Sequence, residues 1–197
     1  MAKKSVSDSE IFPTNEYKIF RLDRTTKTHP PDPSNESKYR KNGGGVLIAV
    51  RRDIDIVSTR LEFSCAAEVL GITLKFSDGK KIIICSYYRV GNLGAKNHSE
   101  FSEYIRKARC RRGVVGIIVA GDLNLPSVNW EEYSSTVPAE RLFLDTFSNY
   151  GIEQLVNVPT HIKGNILDLV LTDKPQLLFD INVLDSNLPC KSDHFSV

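Results

Sequence analysis

The chain has 197 residues, of which 41% are hydrophobic and 25% are charged, an ordinary composition for a globular protein with one domain. Its formal net charge of only +2 excludes a strong overall field toward a polyanion, so basic clusters must act locally. No apolar stretch approaches the roughly 18 residues of a membrane span, and the N-terminus "MAKKSVSDSE" has no apolar signal core. The composition therefore predicts an intracellular protein without a signal peptide or a transmembrane segment.

The segment from Arg24 to Gly45 differs in composition from the rest of the chain. It is rich in Pro, Ser, Asn and Lys and contains almost nothing apolar. This composition predicts a mobile surface loop over residues 24–45, a length that is uncommon in a compact domain unless the loop is functional or an insertion. Its basic cluster "KYRKNGGG" contains Arg40 and Lys41, for which phosphate contacts or a solvated face are the two interpretations.

Strand patterns begin directly after this loop. "GGGVLIAV" is a glycine turn followed by a short apolar run, as in a buried strand. "EVLGITLKF" alternates, "SDGK" supplies an Asp-Gly turn, and "KIIICSYYR" is the expected returning strand of a hairpin. Tyr87 and Tyr88 at its end point to opposite faces, so one phenol at most faces a site there, and a sheet tyrosine with a solvated hydroxyl is the alternative.

The second half alternates helices and strands. "NHSEFSEYIRKARC" predicts an amphipathic helix capped by Ser99, and "AERLFLDTFSNYG" predicts another that ends at Gly151. "VVGIIVAG" between them is a buried strand, and "IEQLV", "ILDLVLT", "DINVL" and "HFSV" are short strands of the tail. Hairpins combined with strand-helix-strand units predict a single α/β domain over residues 1–197, with mixed sheets covered by helices.

Polar side chains interrupt these strands at their ends. Asp122 and Asn124 follow "VVGIIVAG"; two apart in a strand they share a face, where they could bind a cation or activate a water, but an Asx-turn explains them as well. Asp168 is a charge inside an apolar strand, and it either pairs with His194 or His161 or faces water on an edge strand.

The last motif, "SDHFSV", places two chemically active side chains where a turn meets the final strand. Asp193 and His194 converge on one site only if Asp193 is still in the loop, because adjacent strand residues face opposite ways. A solvated aspartate beside a half-buried histidine is the alternative. Taken with Asp122, Asn124 and Asp168, the pair completes a set suited to metal-assisted phosphodiester hydrolysis.

Five motifs in this order resemble the endonuclease/exonuclease/phosphatase superfamily: "GGGVLIAV", "YYR", "GDLNLPSVNW", "LVNVPTHIKGNILDLVLT" and "SDHFSV". They span Gly43 to Val197 and are most similar to the endonuclease domain that precedes reverse transcriptase in non-LTR retrotransposons. The resemblance implies a four-layered α/β sandwich of two packed mixed sheets. It also implies a DNA endonuclease that uses Mg²⁺ or Mn²⁺ on a target-site duplex, is compatible with a nuclear location, and is fused to a reverse transcriptase in an intact element.

The resemblance implies a role for each matching side chain. Asp122 would orient or deprotonate the attacking water, and Asn124 would bind a phosphate oxygen. His194 would contact the scissile phosphate while Asp168 holds that histidine, and Asp193 would serve the metal centre.

Two further residues of the "YYR" motif are expected at the substrate. Tyr88 would contact the scissile phosphate. Arg89, together with Arg40 and Lys41, would contact the nucleic acid.

The sequence departs from the family pattern at its N-terminus. Family domains open with a strand carrying an asparagine and a strand ending in a metal-binding glutamate, and neither Glu10 nor Glu16 matches that position. We therefore expect a fold incomplete at the N-terminus and in the last strand, without the principal glutamate ligand. The alternative function is a catalytically impaired remnant that at most binds nucleic acid weakly, and a third possibility is the same chemistry on a nucleotide or phosphoinositide.

Overall fold

The computed structural model describes residues 7–12, 14–24, 44–59, 67–89, 95–184 and 192–197. Arg40, Lys41 and all but the ends of the predicted 24–45 loop lie outside these ranges. The helices and strands are, in chain order, α1 (Asp8–Ile11), β1 (Tyr17–Asp23), β2 (Gly45–Arg51), β3 (Ile56–Thr59), β4 (Glu68–Lys75), β5 (Lys81–Tyr88), α2 (Ala95–Arg109), β6 (Val114–Asp122), β7 (Val128–Asn129), β8 (Ser134–Ser135), α3 (Pro138–Tyr150), β9 (Glu153–Gln154) and β10 (Asp168–Thr172).

A mixed sheet with the strand order β3-β4-β5-β6-β10-β9 forms the centre of the fold. β4 and β5 pair as the antiparallel hairpin that the Asp-Gly turn predicts, and Gly79 has the positive φ of 84° that this turn requires. β5 and β6 are parallel and are joined through α2, whereas β6 and β10 are antiparallel. The prediction of an α/β fold with a mixed sheet is confirmed.

Two layers cover this sheet. The side chains of Val69, Ile83 and Cys85 pack in one core with the aromatic residues of α2 and α3. Alternate strand residues, among them Leu70 and Ile82, are also buried and therefore point to the opposite face. On that face β1 and β2 form a separate antiparallel sheet that contacts β4 and β5. Two sheets pack against each other, and helices cover the outer face of the larger one.

The helices follow their sequence signals with one correction. α3 ends where Gly151 adopts the left-handed conformation with φ 60°, as predicted. α2 begins at Ala95, so Ser99 lies inside the helix and the prediction that it caps the helix is wrong. Ala95 and Lys96 are good helix formers and continue the helix upstream. With 15 residues α2 is the longest helix, and within the described ranges no helix could span a membrane.

The tail contains less strand than its alternating pattern predicts. β9 has two residues, and the segments "DINVL" and "HFSV" meet only at the isolated bridge between Leu184 and Ser196. A second isolated bridge joins His161 and His194. The alternation is present, but the described residues offer these segments no continuous partner strand, so a ladder does not form.

Candidate active site at the end of the central sheet

Four polar side chains lie in a row across one end of the central sheet. Glu68 pairs with Tyr88 between β4 and β5, and Asp122 pairs with Asp168 between β6 and β10. The two pairs are neighbours because β5 and β6 are parallel, and their register continued to the strand ends places Tyr88 beside Asp122. The Arg89 N–H, which donates to the Asp122 carbonyl at 2.8 Å, agrees with this register. The row faces the side of the smaller sheet, since its neighbours in each strand point into the helix-side core.

The Asp122–Asn124 segment is a tight turn that begins where β6 ends. The N–H of Asn124 donates to Oδ1 of Asp122 at 2.9 Å, which is an Asx-turn. Asn124 has φ 50°, in the left-handed region, so the strand alternation used to place both side chains on one face does not extend beyond Asp122. The turn interpretation is correct as a description of the backbone, and it still presents Asp122 at the strand end.

Asp168 and His194 form a direct hydrogen bond at the site. Nδ1 of His194 lies 2.7 Å from Oδ2 of Asp168, and both side chains are half-buried. Of the two histidines that the sequence offers as partners of Asp168, the structure pairs His194 with it. Burial lowers the pKa of His194, but the hydrogen bond and charge of Asp168, with the charges of Asp122 and Asp193, outweigh burial and raise it. The hydrogen bond to Asp168 therefore favours the imidazolium form of His194. It also fixes the orientation of the ring and with it the direction of Nε2.

His161 contacts Asp193, the acidic residue of the last motif. Its Nε2 lies 3.4 Å from Oδ2 of Asp193, and its Nδ1 accepts the N–H of Lys163 at 3.2 Å. Because Nδ1 accepts a hydrogen bond, Nε2 carries the proton of the neutral ring and donates to the carboxylate. A hydrogen bond from the backbone of Asp193 and then that from His161 lower the Asp193 pKa. From the sequence, His161 was predicted only as a possible partner of Asp168, and its contact with Asp193 was not predicted.

The turn at residues 160–165 holds these distant segments together. Thr160 is fully buried, and its Oγ1 accepts the backbone N–H groups of Leu167 at 2.9 Å and Asp168 at 3.0 Å. The carbonyl oxygen of Thr160 accepts the N–H of Phe195 at 2.8 Å. One threonine thus fixes both the start of β10 and the C-terminal segment, which places Asp168 against His194. Nothing in the spacing of "PTHIKGN" distinguishes this threonine from an ordinary loop residue.

Asp193 lies in a bend outside any strand, which is the condition for it to share a site with His194. Together with His161 the two residues form a group whose ligand atoms all lie within 4.8 Å of one another. Imidazole nitrogens suit transition metals, whereas Mg²⁺ prefers oxygen donors.

The carboxylate of Asp122 is held in an unfavourable electrostatic environment. Burial, and next the negative charge of Asp168 on the neighbouring strand, raise the pKa of Asp122 from 3.8 to about 6. The positive charge of His194 and the N–H of Asn124 act in the opposite direction. Two adjacent carboxylates that repel each other are relieved by a bound cation, so this environment of Asp122 and Asp168 suits a hard divalent ion.

The raised pKa of Asp122 predicts a pH-dependent cost to stability. A folded-state pKa above the unfolded value gives stability that is complete below pH 4 and lost as pH rises through about 6. Asp122→Asn keeps the acceptor for Asn124, so at pH 7.5 it is expected to exceed wild type by on the order of 1 kcal/mol after solvent screening. Urea unfolding at pH 4 and pH 7.5 in EDTA measures this, and an equal difference at both pH values would contradict it.

Tyr88 lies on the face predicted to be open to the site. Tyr87 is buried and contacts Asn97 with its hydroxyl, whereas Tyr88 is half-buried on the other side of β5. The guanidinium of Arg24 lies 5.5 Å from the centre of the Tyr88 ring and forms an ion pair with the buried Glu68. A cation therefore stands beside this phenol, a contact that sequence reasoning missed because Arg24 belongs to a segment of loop-like composition.

Arg89 does not have the exposure of a residue that contacts nucleic acid. It is 5% exposed, its NH1 donates to the Asn124 carbonyl at 2.8 Å, and its Nε donates to Oδ1 of Asn97 at 3.1 Å. The sequence prediction placed it on a basic surface because "YYR" ends a strand. Contacts with α2 and α3 bury the guanidinium, and this burial does not favour a direct contact of Arg89 with nucleic acid. The other two basic residues of the prediction, Arg40 and Lys41, lie outside the described ranges.

Comparisons with known proteins agree with this architecture. The family described as endonuclease-reverse transcriptase matches residues 82–197. No curated protein matches the sequence. The endonuclease domain of TRAS1, a telomere-specific non-LTR retrotransposon, is similar in structure with 17% identity and a TM-score of 0.60, covering 94% of this chain and 78% of that one.

Two bacterial structures are also similar. An endonuclease/exonuclease/phosphatase family protein from Leptotrichia buccalis C-1013-b has 15% identity and a TM-score of 0.56, covering 95% of this chain and 72% of that one. One from Bacteroides thetaiotaomicron has 14% identity and a TM-score of 0.50, covering 81% and 60%. These identities show a shared fold, and the family match includes every strand that carries Tyr88, Asp122 and Asp168 as well as the His194 segment. The chain therefore belongs to the endonuclease-reverse transcriptase family and has the endonuclease/exonuclease/phosphatase fold.

Proposed function

We propose that this protein is a divalent-cation-dependent DNA endonuclease of the retrotransposon type. The observation that carries the proposal is the arrangement of Asp122 and the Asp168–His194 pair on neighbouring strands at one sheet end. One carboxylate with a raised pKa beside a histidine with a raised pKa provides a general base and a cationic contact for an oxyanion. The family match and the similarity to the TRAS1 domain favour a nucleic-acid substrate.

Each side chain has a defined task in this proposal. Asp122 orients and deprotonates the attacking water, and the side chain of Asn124 donates to a phosphate oxygen. His194, held by Asp168 through Nδ1, donates from Nε2 to the scissile phosphate, and Tyr88 contacts the same group. Such charge-assisted hydrogen bonds are stronger than neutral ones and stabilise the negative charge on the phosphoryl oxygens in the transition state.

A divalent cation, which we propose is Mg²⁺ or Mn²⁺, completes the chemistry. Asp122, Asn124 and Asp193 supply the oxygen donors that would hold it. When bound, it polarises the phosphoryl group and offsets charge on the leaving oxygen. No observation on the described residues favours the impaired remnant that the sequence raised as an alternative.

Plasmid nicking tests the proposal. The purified chain is expected to convert supercoiled plasmid to the open circle with Mg²⁺ and not with EDTA. Asp122→Ala and His194→Ala are expected to lower the rate by about 10²–10⁴-fold, the contribution of a positioned base or acid. Lys107→Ala, on the exposed face of α2, is the matched control. A wild-type rate no greater than that of the two active-site variants would refute the proposal.

A further inference from the structure

We propose that Arg89 is a positioning residue that holds Asn124 in its catalytic conformation and does not itself contact nucleic acid. This inference rests on the proposed function and assigns a task to Arg89, which the sequence predicted to contact nucleic acid and which is buried. In this role the Arg89 guanidinium is a fixed link between α2 and the turn that follows β6.

The contacts of Arg89 converge on this turn from the backbone and from the side chain. Its N–H donates to the Asp122 carbonyl at 2.8 Å, and its NH1 donates to the Asn124 carbonyl at 2.8 Å. Arg89 therefore donates a hydrogen bond to the carbonyl oxygen of each polar residue of the D-x-N motif. Their side chains remain directed by the turn, because neither bond uses a side-chain atom of Asp122 or Asn124.

The other side of the guanidinium is fixed by α2 and α3. Nε donates to Oδ1 of Asn97, which is 1% exposed and donates in turn to the Tyr87 hydroxyl at 3.2 Å. The guanidinium carbon lies 5.4 Å from the centre of the Phe143 ring, a distance suited to a cation–π contact. The planar fork of arginine makes these contacts at once, and lysine cannot reproduce their geometry.

The conformation of Asn124 is what requires such a support. Its φ of 50° lies in the left-handed region, which non-glycine residues adopt rarely and asparagine tolerates better than most. The N–H of Asn124 donates to the Asp122 carboxylate, and its carbonyl oxygen accepts from Arg89, so both ends of the residue are held. Without Arg89 the peptide after Asn124 can rotate, and the amide would no longer be held at the phosphate.

Arg89→Lys tests the inference, and Arg141→Lys on the exposed face of α3 is the matched control. Asn97→Ala is a second variant, which removes the acceptor of Nε and the donor to the Tyr87 hydroxyl but leaves the NH1 bond to the Asn124 carbonyl. We expect Arg89→Lys to lower kcat for nicking at least tenfold without changing KM, and Asn97→Ala to lower it less. DNA affinity and its dependence on salt are expected to equal those of Arg141→Lys. For Arg89→Ala, millimolar methylguanidinium is expected to restore part of kcat, which a loss of fold alone would not allow.

Two results would overturn the inference. If removing the charge in Arg89→Ala lowers the slope of log affinity against log salt by about 0.9, the loss of one phosphate contact, Arg89 binds nucleic acid. If Arg89→Lys is less stable but nicks with an unchanged kcat, Arg89 supports only the fold.

A measurement that does not depend on catalysis tests this inference separately from the proposed function. In ¹H–¹⁵N spectra the backbone and side-chain amide signals of Asn124 are expected to move or broaden in Arg89→Lys and to stay unchanged in Arg141→Lys. If wild type fails to nick and these signals behave as expected, the proposed function fails and the positioning role stands. Unchanged Asn124 signals in Arg89→Lys would refute positioning, whatever the nicking assay gives.

Discussion

Asp168→Asn is expected to lower the rate of plasmid nicking by about 10²–10⁴-fold while the affinity for DNA stays within about twofold of wild type. The carboxylate at 2.7 Å from Nδ1 of His194 both fixes the ring and supports its positive charge. A carboxamide is neutral and no longer stabilises the imidazolium form of His194, so the charge-assisted donation from Nε2 is lost. Single-turnover rates and fluorescence anisotropy on the same duplex measure the two quantities.

The same substitution carries a control and a second readout. Asp145→Asn removes an equal charge from the exposed face of α3 and is expected to nick like wild type. The raised pKa of His194 gives wild type stability that is present below pH 6.5 and lost as pH rises through the folded value. Asp168→Asn is expected to lose this dependence between pH 6 and pH 8. If Asp168→Asn still nicks plasmid and its stability depends on pH as in wild type, Asp168 does not support His194.

Gly121→Ala is expected to lower the free energy of unfolding by about 3 kcal/mol or more. A Cβ at Gly121 would lie 2.0 Å from the carbonyl oxygen of Tyr87, a backbone atom of β5 that cannot move without breaking the sheet. Gly121 also has φ 139°, a conformation that side chains disfavour. Because it directly precedes Asp122, the distortion is expected to reach the D-x-N turn as well. Urea unfolding followed by circular dichroism measures the loss.

A second glycine separates the close contact from backbone strain. Gly164 has φ 83° and nothing within 4 Å of an added Cβ. Gly164→Ala is therefore expected to cost only about 1 kcal/mol, the strain of the backbone conformation. Equal losses at Gly121 and Gly164 would contradict the proposed clash with β5.

Local signals predicted much of the fold. The Asp-Gly turn fixed the β4–β5 hairpin, and the apolar stripe with Gly151 as its stop predicted α3 closely, because turn chemistry and helix periodicity act over a few neighbouring residues. The start of α2 and the strands of the tail were predicted less well. A helix start depends on small differences in propensity, and a strand exists only if a partner strand is present.

The sequence by itself determined which side chains carry the proposed chemistry, since the order Asp122, Asn124, Asp168, Asp193 and His194 matches the family's motifs. Only the tertiary structure decided their partners. His194 and not His161 contacts Asp168, and Thr160 holds the two segments together, because backbone bonds between distant segments leave no periodic trace in a sequence.

Burial was the other property that required the tertiary structure. An arginine that follows a strand has the same sequence signature whether it faces solvent or lies under a helix. Arg89 lies under α2. The pKa of Asp122 likewise rises because the fold partly buries its carboxylate and because the pairing of β6 and β10 places Asp168 beside it. Desolvation and charge proximity depend on three-dimensional distance, so residue identity sets the available chemistry and packing sets its strength.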